Sequence, residues 1–135
     1  MAEPTPSTPP TETAQSAYKT PNGLRRLLPA TRYSLAGLRA AYRTESAFRQ
    51  ELALGGLMLL SLPWLAPGRL QALLMAGSVV AVWVVELLNS AVEAVADAHT
   101  LDHHPLIGRA KDIGSAAVFL SLLFAGTVWV VVLWP

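Results

Sequence analysis

Three carboxylates and an amide interrupt the largely apolar run VVELLNSAVEAVAD: Glu86, Asn89, Glu93 and Asp97. At about 100° per residue they fall in one stripe roughly 80° wide on a helix whose other faces are Val, Leu and Ala. A carboxylate inside a membrane-spanning helix costs roughly 2.5–3.5 kcal/mol on insertion scales, so one retained there is a functional candidate. The competing reading is that such a residue already lies among the headgroups and marks the helix end. For Glu86 that reading fits poorly, because VWVVELL continues on both sides of it. For Asp97 both readings stand.

Two further polar clusters flank apolar segments. Glu45, Arg49 and Glu51 in TESAFRQE open the first segment. Glu45 and Arg49, spaced i, i+4, would also suit a plain helix ion pair worth a few tenths of a kcal/mol. Arg109, Lys111, Asp112 and Ser115 in GRAKDIGSAAV open the last, with Lys111 and Ser115 on one face and Gly108 and Gly114 allowing close backbone approach. Carboxylates and an amide from two helices suit Mg²⁺, which takes one or two carboxylates and completes its shell with phosphate oxygens. Lysine and arginine offset phosphate charge. Such a layer could hold a metal–nucleotide complex against a lipid headgroup for phosphoryl transfer, although a transport path would use the same residue types. The sequence has no GxxxxGK[ST] loop, no GxGxxG and no HRD or DFG. His99, His103 and His104 have a spacing that could hold a metal, but beside Pro105 they read better as a solvated loop, from which one could reach a bound nucleotide.

The elements that must carry these residues follow from composition. Of 135 residues, 53% are hydrophobic and only 14% charged, and the mean hydropathy is +0.41. A soluble domain runs nearer a quarter charged. The length excludes a large two-lobed enzyme and leaves room for about three spans of ~20 residues. With no cysteine, disulfide scaffolds, zinc–thiolate sites and cysteine nucleophiles are excluded. Residues 1–23, rich in Pro and Thr, cannot bury enough to offset their ordering entropy and are expected to be a disordered tail. They lack the basic start and apolar stretch of a secretory signal.

An all-α membrane protein is therefore expected. It begins with a basic amphipathic helix over 24–47 lying in the membrane interface. Spans follow at about 48–66, 70–97 and 110–134. Pro29 is expected to break the first helix near its start and Pro63 to shorten the first span. A tight turn follows Pro63, and Ala98–Ile107 forms the other loop. Seven Lys/Arg precede the apolar run that starts at Leu52 and two flank the second loop, whereas Arg69 alone lies at the Pro63–Arg69 turn. The positive-inside rule then puts the N-terminus in the cytoplasm and the C-terminus outside, with Trp64 and Trp134 at the outer interface. Ala117, Ser121 and Ala125 form a small-residue ridge suited to close helix packing, and the polar layer needs a protein-lined interior, so an oligomer is expected.

Taken together, YSLAGLRAAYRTESAFRQE, VVELLNSAVEAVAD and GRAKDIGSAAV resemble the bacterial integral-membrane diacylglycerol kinases, from about Arg26 to Trp134. The resemblance implies a homotrimer in the bacterial inner membrane with active sites shared between protomers. It also implies ATP as phosphoryl donor with Mg²⁺, diacylglycerol as acceptor, phosphatidic acid as product, and no nucleic acid partner. Carried onto matching positions, it makes Glu86 the catalytic base, and Glu45 and Glu93 the metal carboxylates. Arg26, Tyr33, Glu45, Glu93, Asp102, His103, His104, Lys111 and Asp112 become nucleotide contacts. Arg26, Arg39, Arg49, Glu51, Glu86, Ser115 and Trp129 become contacts on the lipid path, with Asn89 and Asp97 orienting their neighbours. The lipid hydroxyl never leaves the interface, so a base for it must sit at the depth of Glu86. Undecaprenol kinase, a sister enzyme, is the nearest alternative, and a non-enzymatic small membrane protein is a remote one.

Overall fold

In a computed structural model the described residues, 27–99 and 104–134, form four helices and no strand. The predicted tail, together with Arg26, Asp102 and His103, lies outside them. The chain divides after Ser34 into two units. Of the first, residues 27–34 are described as the opening of α1, where the Ser34 hydroxyl donates to Ala30 O at 3.0 Å.

Helix α1 runs Leu27–Thr44. Pro29 does not break it: in the first turn the missing N–H is one the helix could not have bonded anyway. Arg43 in the last turn complements the helix dipole. The chain then leaves helical geometry for one residue, Glu45, at φ −98° and ψ 113°. The Arg49 guanidinium reaches back to the carbonyls of Tyr42 (3.1 Å) and Arg43 (3.3 Å), satisfying orphan acceptors at the end of α1. Arg49 is thereby committed to carbonyls instead of to the Glu45 ion pair that its i, i+4 spacing suggests.

Helix α2, Ser46–Leu65, passes through Pro63 and ends two residues later, with the Ala66 N–H donating to Leu62 O at 3.0 Å. The proline costs little so near the C-terminus, so the expected shortening is slight. Helix α3 runs Arg69–His99 and α4 Pro105–Leu133. Both reach further into the expected Ala98–Ile107 loop than its polar composition suggests. Pro105 takes the first helical position, and His104 acts as N-cap, its Nδ1 accepting from the Leu106 N–H at 3.3 Å.

The long helix α3 is the centre of the bundle and packs against both α2 and α4. Met75, Ser78, Val79 and Val82 recur at helical spacing and are buried, and Met75, Val79 and Trp129 form the core cluster under Leu59, Leu62 and Val132. The Trp129 indole donates to Met75 O at 3.3 Å and the Ser78 hydroxyl to the same carbonyl at 2.8 Å, so buried polar atoms at this end have partners. Gly55 on α2 meets α3 where a Cβ would lie 2.7 Å from Val79 Cγ1 and 2.9 Å from the Trp83 ring.

Two helices, α3 and α4, are long and apolar enough to cross a membrane. Only 28% and 11% of their most apolar stretches are buried within the protein, so they are not core helices of a soluble fold, and their Leu, Val and Phe side chains turn outward. Helix α2, expected as a third span, does not reach the same apolarity. Its first two turns carry Arg49, Gln50 and Glu51.

Candidate active site

The core stripe of α3 does not end where its apolar residues do. Continuing from Met75, Val79 and Val82 by one more turn, the next buried position is Glu86, only 4% exposed. A carboxylate thus occupies a place that packing would give to leucine, which stability alone does not explain. Glu86 lies close enough to Glu93 and Glu45 for their charges to act on it, and Glu51 close enough to Glu86. With Glu45 at the α1–α2 junction and Glu51 on α2 both within electrostatic reach of Glu86, four carboxylates from two stretches of chain make up one acidic layer.

Asn89 ties part of this layer together. Its Nδ2 donates to Glu93 Oε1 at 3.1 Å, while its Oδ1 is buried without a partner. Oδ1 faces Gly114 of α4 so closely that a Cβ on the glycine would collide with it. The Glu51 Oε2 is likewise buried and unpartnered. Beside it a cavity of about 210 Å³ opens between α2, α3 and α4, walled by Leu54, Met58, Trp83 and Leu122. Glu45 accepts from the neighbouring Thr44 hydroxyl at 3.2 Å. From α4, the Lys111 ammonium pairs with Asp97 at 2.9 Å and also feels the charge of Glu93. Asp97 therefore continues the stripe as the lysine's partner.

Among the described residues no three His, Asp or Glu side chains converge as a ready-made metal cage. Mg²⁺ does not require one, since it binds through one or two carboxylates plus substrate phosphates. The hard carboxylate oxygens of Glu45 and Glu93 fit that demand.

A scan against family models matches residues 32–133 to the prokaryotic diacylglycerol kinases. The chain is 46% identical over 112 residues to the diacylglycerol kinase of Haemophilus influenzae, covering 83% of this chain and 94% of that one. It is 44% identical over 112 residues to the diacylglycerol kinase of Escherichia coli K12, with 83% and 92% covered. For the Pseudomonas aeruginosa diacylglycerol kinase the figures are 43% over 118 residues, with 87% and 96% covered. The chain belongs to the prokaryotic diacylglycerol kinase family. It is a lipid kinase by membership and, with its two outward-facing apolar helices, a membrane protein.

The family match takes in every carboxylate of the layer and leaves Arg26 outside. Of the other residues that the resemblance singles out, Tyr33 and Arg39 are exposed on α1, and Asp112 and Ser115 are exposed on α4. Trp129 belongs to the apolar core, at the level of Met75 and not of the carboxylates. Nothing in the sequence reading anticipates Trp83, whose indole donates to Glu51 O at 3.0 Å and staples α2 to α3 one turn from Glu86. Ser90, whose buried hydroxyl has no partner, goes equally unmarked. Trp83 shares a face with Glu86 at i, i+3, the one signal that could have marked it.

Proposed function

We propose that this family member transfers the γ-phosphoryl group of ATP to the primary hydroxyl of diacylglycerol, giving phosphatidic acid and ADP. The observation that carries the reading is Glu86: a carboxylate on the core face of α3, at the level where apolar packing gives way to the acidic layer. Its Oε takes the hydroxyl proton as the lipid oxygen bonds to the γ-phosphorus and the bond to the β-phosphate oxygen breaks. Glu45 and Glu93 would hold Mg²⁺, which when bound would supply charge neutralisation for the triphosphate, and Asn89 fixes Glu93 by its 3.1 Å hydrogen bond. Lys111 contacts the phosphates, steadied by Asp97. Tyr33, His104, Asp112 and, from outside the described residues, Arg26, Asp102 and His103 serve the nucleotide. Arg39, Arg49, Glu51, Ser115 and Trp129 serve the lipid path, and the apolar walls of the cavity beside Glu51 suit an acyl-bearing substrate.

In this reading α2 is a third span, its polar start lying in the interface. The N-terminus and the α3–α4 loop face the cytoplasm of the bacterial inner membrane, and the C-terminus faces the periplasm. The chain works as a homotrimer with shared sites, in keeping with the apolar surface that α3 and α4 leave uncovered. The test is ATP-dependent phosphorylation in mixed micelles, with diacylglycerol and undecaprenol offered in parallel and Glu86→Gln as control. Phosphatidic acid that disappears in the control supports the whole reading. Undecaprenyl phosphate would keep the mechanism and change the substrate. No product from a folded oligomer would overturn it.

A further inference from the structure

Two glycines in GRAKDIGSAAV look equivalent in sequence, but α4 uses them differently. A Cβ at Gly108 would meet nothing within 4 Å, whereas one at Gly114 would run into Asn89 Oδ1 and crowd the Asn89 Cγ. Gly114 is in regular helix with no positive φ, so its backbone does not call for glycine. What calls for it is the amide. Asn89 Oδ1 sits against the α4 backbone at Gly114, buried and unpartnered, in an orientation that leaves Nδ2 to donate to Glu93 Oε1 at 3.1 Å. Turning the amide away from an added methyl would take Nδ2 with it.

We propose that Gly114 is a positioning residue for the kinase reaction: its missing side chain admits the Asn89 amide, and through it fixes the Glu93 carboxylate. The inference rests on the reading of Glu93 as a metal carboxylate. A residue on α4 with no side chain of its own thereby sets the geometry of a metal ligand on α3. Misplacing such a group by about 1 Å can cost 10²-fold in rate.

The test is a double-mutant cycle with two readouts on the full-length protein in detergent. One is turnover on diacylglycerol. The other is Mn²⁺ bound in the presence of a non-hydrolysable ATP analogue, followed by electron paramagnetic resonance. Gly114→Ala is expected to lower turnover at least about tenfold and to raise the Mn²⁺ concentration for half-saturation several-fold, as Asn89→Ser should by itself. Gly108→Ala should leave both unchanged. In the Asn89→Ser background, where the colliding amide is gone, adding Gly114→Ala is expected to change either readout less than twofold. An equal cost in both backgrounds, or no cost in the native one, would overturn the proposal. So would lowered turnover with unaltered Mn²⁺ binding, because that would make Gly114 a packing residue only. If Gly114→Ala alone does not accumulate as folded protein, recovery of folded protein in the double variant supports the contact, and failure of the double variant to fold overturns it. An inactive wild-type protein would instead condemn the kinase reading itself.

Discussion

The two halves of α3 have the same helical stripe and opposite contents. From Met75 to Val82 the stripe is apolar, and its one hydroxyl, on Ser78, and the facing Trp129 indole both hydrogen-bond to Met75 O. From Glu86 to Asp97 it is acidic and holds Asn89 Oδ1 and Ser90 Oγ buried without partners, with Glu51 Oε2 facing it from α2. The first half is what a helix bundle does to be stable. The second violates the same rules in one place, several times, which is the signature of groups held ready for a ligand. The division predicts that substitutions in the two halves will separate activity from stability.

The largest effect belongs to Glu86. Glu86→Gln keeps shape and removes the base, so turnover should fall by about 10²–10⁴-fold. The same change removes a buried charge that Glu93 and Glu45 repel, so the thermal midpoint should hold or rise. Turnover by radiolabelled phosphate transfer and unfolding by circular dichroism check both sides. A loss of stability matching the loss of activity would erase the distinction between the halves.

The converse test is in the apolar half. Gly55→Ala places a methyl against the Val79 and Trp83 side chains, and overpacking of this kind costs about 1–3 kcal/mol. The detergent-unfolding midpoint should drop while KM for ATP stays put. A variant of unchanged stability with weakened ATP use would place Gly55 in the wrong half.

Trp83 stands at the boundary. Trp83→Phe keeps an aromatic ring and loses the bond to Glu51 O, a stability cost of about 0.5–1.5 kcal/mol. Because Trp83 also walls the cavity beside Glu51, KM for diacylglycerol should rise while KM for ATP does not. A change in the ATP term alone would detach the cavity from the lipid.

Much of this division is legible in the sequence. The acidic stripe of VVELLNSAVEAVAD follows from helical period alone, and the two long apolar helices follow from composition. The roles proposed for Lys111 and Glu45 come from resemblance, since nothing in their spacing places them beside α3. What stays hidden depends on tertiary partners. The one-residue break at Glu45 is set by Arg49 reaching seven residues back, and the Trp83 staple spans 32 residues. Pro29 reads as a helix breaker only until the helix start is known, and local sequence defines that start poorly. Helix α2, expected as a span, is less plainly apolar than α3 and α4 because Arg49, Gln50 and Glu51 belong to the helix itself and not to a loop before it.

The smallest effect, and the one whose sign is most informative, is at the Lys111–Asp97 pair. Both side chains are partly exposed, at 38% and 58%, so solvent screens the pair and it contributes little to stability. Asp97→Asn should leave the unfolding midpoint unchanged. Its effect on ATP has two opposed sources. Losing a negative charge beside a triphosphate favours binding, whereas releasing the Lys111 ammonium from its 2.9 Å partner lets a flexible side chain wander. The charge term is screened within about 8 Å at physiological salt, while the orienting contact is short-range and survives. KM for ATP should therefore rise by about 2–5-fold in Asp97→Asn, equivalent to roughly 0.4–1 kcal/mol, persist at high salt, and be partly restored in Asp97→Glu. A fall in KM that vanishes with added salt would make Asp97 a competitor for the lysine, and would end the acidic stripe of α3 one turn earlier, at Glu93.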